Sequence, residues 1–94
     1  MPQFVIERDL ASGFVPSDAQ IREDSLRSLE VLRELGPEIQ WIHSYVTDNK
    51  LYCVYIAPNE EMVREHARRG GFPANHISPV KTLIDPTTPE DHAA

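Results

Sequence analysis

Four side chains in this sequence have the chemistry to hold a metal ion or to move a proton: Glu7, His43, Cys53 and His66. A carboxylate and an imidazole brought together, here Glu7 and His43, can coordinate a divalent metal or act as an acid and base pair. A thiol beside an imidazole, here Cys53 and His66, suits Zn, Ni or Cu, and such a pair can also activate a nucleophile. Each pair has a plainer reading. Glu7 and His43 can be a salt-linked pair at an interface; a free cysteine usually just packs; and His66 can be a core histidine bonded to backbone or to Tyr55. His76 and His92 add two imidazoles further along, and the turn between His66 and His76 could bring those two back together. No CxxC, HExxH, phosphate-cradling glycine loop or GxSxG elbow occurs, so the motif-defined enzyme classes gain no support.

The elements that must position these groups follow from periodicity. From Gln3 to Leu10, Phe4, Ile6 and Leu10 fall on one side and Val5, Glu7 and Asp9 on the other, the alternation of a half-buried strand. Pro16 ends the connection, and Ser17 with Gln20 has the spacing of a capping box, which predicts a helix from about Asp18 to the Gly36-Pro37 stop. Ile21, Ser25, Leu29 and Leu32 mark its expected inner face, with Ser28 and Leu35 at the edges. IQWIHSYV (39 to 46) and LYCVYIA (51 to 57) flank Thr47-Asp48-Asn49-Lys50 and read as a hairpin. A two-residue loop sets Tyr45 opposite Tyr52, His43 opposite Val54, Ser44 opposite Cys53 and Ile42 opposite Tyr55. Trp41, His43, Tyr45, Tyr52, Val54 and Ile56 then share one face, while Ile42, Ser44, Val46, Leu51, Cys53 and Tyr55 share the other.

Asn59 is positioned to cap a second helix, with Glu60 and Glu61 in its first turn, Arg68 and Arg69 in its last, and Gly70 as the expected C-cap. Val63, His66, Ala67 and Gly70 make its inner face, looking towards Cys53. His76 to Ile84 reads as a last strand, and Pro79, which cannot donate to a ladder, makes it an edge strand or a bulged one. The order βαββαβ predicts a ferredoxin-like α+β domain over residues 1–86, a four-stranded antiparallel sheet with two helices on one face, and a flexible polar tail over 87–94. The other sheet face, carrying Trp41, Tyr45 and Tyr52, would be a large apolar patch, so a homodimer is expected to cover it.

A chain of 94 residues buries only roughly 60 to 65% of its unfolded surface, which also favours sharing stability with a partner. Its formal charge of −6 disfavours a general grip on nucleic acid or on anionic membranes. No apolar run approaches a bilayer span, and MPQFVIERDL lacks the layout of a signal peptide, so the expected compartment is the cytoplasm. The single cysteine is expected to act, if at all, as a thiol.

Three stretches, "FVIERDL", "LRELGPEIQWIHSYVTDNKLYCVYIAPNEEMVREHARRGGFPANHI" and the closing "IDP", resemble the small bacterial nickel-binding protein family, a domain-of-unknown-function group, across residues 3 to 86. The resemblance implies a dimeric ferredoxin-like protein that binds nickel, with no catalytic activity established for the family as a whole and with Glu7, His43, Cys53 and His66 as the matching ligand candidates; the sequence indicates no organic cofactor. The loop from Ala11 to Ser17 departs from the family pattern. The leading expectation is a divalent transition-metal binding protein, nickel foremost, with a storage, buffering or sensing role. One alternative is an enzyme holding a small hydrophobic substrate on the open sheet face beside Trp41, Tyr45 and Tyr52, with His43 as general base and Glu7 orienting it. Another is a non-catalytic dimerisation or regulatory module.

Overall fold

Alternation lays down the first strand, β1 (Gln3–Asp9), which buries Phe4, Ile6 and Arg8 on one side and turns Val5, Glu7 and Asp9 to the other. The computed structural model describes residues 2–10 and 16–91; the loop from 11 to 15, expected to differ from relatives, and His92 lie outside the described residues. Helix α1 (Asp18–Leu35) starts at the capping serine, where the Gln20 amide donates to Ser17 Oγ at 3.1 Å. It stops at Gly36, whose φ of 97° few side chains tolerate. Strands β2 (Gln40–Val46) and β3 (Lys50–Ile56) form the hairpin, closed by the Thr47 amide donating to the Lys50 carbonyl at 2.8 Å. Helix α2 (Glu60–Gly70), β4 (His76–Pro79) and a single turn, α3 (Thr88–Asp91), complete the order.

The sheet order is β2-β3-β1-β4 with every neighbouring pair antiparallel, the ferredoxin-like arrangement. Phe4 and Ile6 from β1, Cys53 and Tyr55 from β3 and Val63 from α2 make the core, with Leu32 and Leu35 of α1 packed against it. Both helices therefore cover one sheet face, and no described element covers the other.

Several local expectations are corrected. A bulge between Trp41 and His43 sets Trp41, not Ile42, opposite Tyr55, although His43–Val54, Ser44–Cys53 and Tyr45–Tyr52 pair as the turn dictates. The extra residue shifts Trp41 by one step, so its indole turns under the helices with Cys53 and Tyr55 and leaves the open face. The inner face of α1 is rotated: Ser28 and Val31 are buried, whereas Ile21 and Leu29 are exposed. A hydrogen bond from α2 to Ser28 accounts for a polar residue at that position. The left-handed cap of α2 is Gly71 at φ 70°, because Gly70 is needed one step earlier: a Cβ there would lie 2.1 Å from the Phe72 ring. Strand β4 stops at Pro79 rather than Ile84, and as an edge strand it tolerates the missing donor. In the stretch expected to be a plain tail, the Asp85 amide donates to Thr88 Oγ1 at 2.6 Å at the start of α3.

Candidate functional site

Beneath the helices lies a chain of polar groups that few small cores contain. Arg8, 2% exposed, donates to the Pro73 carbonyl, and its Cζ stands 5.5 Å from the centre of the Phe72 ring. Arg27 of α1 approaches the same ring, at 4.8 Å. His66, fully buried, places Nε2 3.0 Å from Ser28 Oγ, while its Nδ1 is buried without a hydrogen-bond partner. Its ring packs 5.0 Å from Tyr55 and 5.6 Å from Phe72.

The protonation states follow from this enclosure. Burial, seconded by the nearby Arg8 charge and opposed by a hydrogen bond to the Ser28 backbone, pushes the His66 pKa down to about 4, so the ring is neutral near pH 7. We place its single proton on Nε2, because a bare buried lone pair at Nδ1 costs less than an orphaned N–H. Ser28 then accepts from His66 and can pass a hydrogen bond on to Tyr55. Burial raises the Tyr55 pKa, the neighbouring Cys53 adding to the rise, while Arg8 and Ser28 act on the phenol in the opposite sense. Arg8, Tyr55, Ser28 and His66 thus form one connected set, with the cation at one end and a neutral imidazole at the other.

This set borders a cavity of about 230 Å³ between α1 and the sheet. Trp41, Cys53, Tyr55 and Phe72 line its interior with Arg8, and the exposed Ile21 and Val46 stand at its rim. The indole Nε1–H of Trp41 is satisfied by Ser44 Oγ at 2.9 Å. Of the residues expected to line a pocket on the open face, Trp41 borders this helix-side cavity instead, and Tyr45 and Tyr52 do not line it.

The open face has different chemistry. Glu7 is ion-paired to Lys50, whose ammonium hydrogen-bonds the carboxylate and holds its pKa below the usual range against the effect of burial. His43 is exposed and meets Tyr45 edge-on, ring centres 5.0 Å apart. His76, at the start of β4, sits across from Glu7 in the register.

The four expected ligands are thus divided. Glu7 and His43 share the open face but not adjacent strands, since β3 runs between β1 and β2. Cys53 and His66 both lie on the helix side, buried, and His66 meets the Ser28 hydroxyl. His66 and His76 fall on opposite sides of the sheet, so the Phe72-Pro73 turn does not reunite them. Among the described residues, no three of His, Cys, Asp and Glu come together as a metal-holding group. Tyr45 and Tyr52 pair on the open face, and Tyr55 borders the cavity. Arg8 was missed, though a signal was there: it takes the third inward position of a strand whose first two are Phe4 and Ile6.

A protein-family model described as "Nickel responsive protein SCO4226-like" matches residues 4–80. The crystal structure of SCO4226 from Streptomyces coelicolor A3(2) superposes with a TM-score of 0.74 at 18% identity, covering 87% of this chain and 99% of that one. No curated protein matches the sequence.

Proposed function

Because this chain belongs to the SCO4226-like nickel responsive protein family, we propose that it binds a divalent transition metal, nickel foremost, in a storage, buffering or sensing role, through imidazole on the open sheet face. The observation that carries this reading is His43, an exposed imidazole on a face that no described element covers. Imidazole suits nickel, and its affinity for divalent metals rises through the series from Mn to Cu.

The helix side is the poorer candidate. The Arg8 charge that disfavours a proton on His66 also disfavours a divalent cation there. Cys53, 3% exposed, is packed in the apolar core, out of reach of a metal ion unless the core rearranges. Glu7 becomes an oxygen ligand only by giving up Lys50. One chain offers too few open-face ligands to close a coordination sphere, and a second copy paired through the same face would present each of them twice. The homodimer is therefore part of the same proposal.

Calorimetric titration of metal-free protein with Ni²⁺ tests the assignment. His43→Ala should weaken binding at least about tenfold, equivalent to about 1.4 kcal/mol, whereas Cys53→Ser should leave it unchanged. Binding no tighter than about millimolar in the wild type, or an unaffected His43→Ala, would sink the reading.

A further inference from the structure

We propose that the cavity beneath α1 binds a small ring-bearing monocarboxylate, its carboxylate paired with Arg8 and its ring held by Trp41, Tyr55 and Phe72. This goes beyond metal binding and is independent of it, since the cavity and the open face lie on opposite sides of the sheet.

Arg8 carries the argument. It is 2% exposed and has no carboxylate within ion-pair distance among the described residues; its contacts are a backbone carbonyl, an aromatic face and the neutral Tyr55 phenol. A buried guanidinium without a counter-ion is costly, and its planar fork matches a carboxylate. The cavity beside it supplies room for one. An apolar cavity of roughly 150 Å³ accepts benzene; at about 230 Å³ this one has space for a ring plus a carboxylate. Asp24, which borders the cavity too, is paired with Arg27 at 3.2 Å and accepts from Gln20 at 3.0 Å, so the cation left for an anion is Arg8. The Tyr55 hydroxyl, kept protonated by its burial, is a donor for the second carboxylate oxygen. A neutral molecule of the same shape would fill the space and leave the cation unpaired.

Trp41 is the chain's only tryptophan and lines the cavity, so its fluorescence reports occupancy. Metal-free full-length protein is titrated with benzoate, with benzamide as the neutral isostere and with acetate as the ringless carboxylate. Benzoate should give a saturable change with at least tenfold higher affinity than either. Arg8→Met should abolish the preference for benzoate over benzamide. If Arg8→Met does not fold, Ser25→Leu narrows the cavity from α1 with Arg8 intact, and it should weaken benzoate at least tenfold. Equal affinity for benzoate and benzamide overturns the proposal, as does undiminished binding in Ser25→Leu. So does the absence of saturation below about 10 mM, since a ligand of about nine non-hydrogen atoms should bind at least that well.

Discussion

His66 is buried with one ring nitrogen bonded to Ser28 and the other without a partner, beside a guanidinium that repels any proton it takes up. Such a residue makes the fold sensitive to acid. Its pKa is about 4 when folded and about 6.5 when unfolded. Between those values the unfolded chain binds more protons than the folded one, so stability falls as pH drops through this window and levels off below it. Glu7, Glu65 and Asp85 have lowered pKa values too, and their contributions are lost as pH falls through and below the ordinary carboxylate values, 4.5 for Glu and 3.8 for Asp. The interval from pH 6.5 to about 5.5 therefore isolates the imidazole, and at lower pH the comparison with a non-titrating variant separates it from the carboxylates. Urea unfolding of the wild type should show a loss of roughly 2–3 kcal/mol between pH 7 and 4.5. His66→Gln, which keeps a donor for Ser28 and cannot titrate, should show a much flatter profile. A wild-type profile as flat as the variant's would mean that His66 takes up its proton without cost.

The bulge in β2 decides which face the indole joins. Regular alternation from the turn would have put Trp41 beside His43 and Tyr45; the extra residue at Ile42 puts it beside Tyr55. Deleting one residue from a strand normally flips all the side chains beyond it. Here deletion of Ile42 should restore an unbroken ladder with Trp41 still opposite Tyr55 and His43 still opposite Val54. The deletion variant should fold, keep a tryptophan emission maximum close to the wild type's, and lose no more than about 1 kcal/mol, as for other mild changes. A red-shifted emission would place Trp41 on the open side and refute this account of the bulge. The same contrast explains what the sequence disclosed. The Ser17 and Asn59 caps, the Thr47–Lys50 turn and the strand order depend on neighbours close in sequence or on strong patterns, and these were legible. Trp41, the rotated face of α1 and the Gly70–Phe72 contact depend on partners distant in sequence or on one irregular residue. The candidate site suffered most, because its anchoring cation, Arg8, occupies a position that alternation reserves for an apolar side chain.

At the scale of the whole molecule, the unresolved demand is the sheet face opposite the helices. Val5, Tyr52, Val54 and Ile56 are only half-buried there, Tyr45 is 60% exposed, and Leu83 and Ile84 follow β4 at 72% and 71% exposure. A soluble monomer seldom leaves a contiguous apolar surface of more than a few hundred Å² open. A two-fold partner would cover it with its own copy of the same residues, setting tyrosines against tyrosines near His43. The proposed dimer therefore has a defined weak point. Tyr45→Glu places a carboxylate, twice over by symmetry, inside a contact that would have to desolvate it. Sedimentation velocity at micromolar concentration should show a dimer for the wild type and a monomer for Tyr45→Glu, with unchanged far-ultraviolet circular dichroism in both. If nickel binding requires both copies, calorimetry on the monomeric variant should lose the metal isotherm along with the dimer. Benzoate binding under α1 should persist in that variant, because the cavity belongs to a single chain. A variant that stays dimeric would move the interface to another surface and leave the apolar face without its proposed cover.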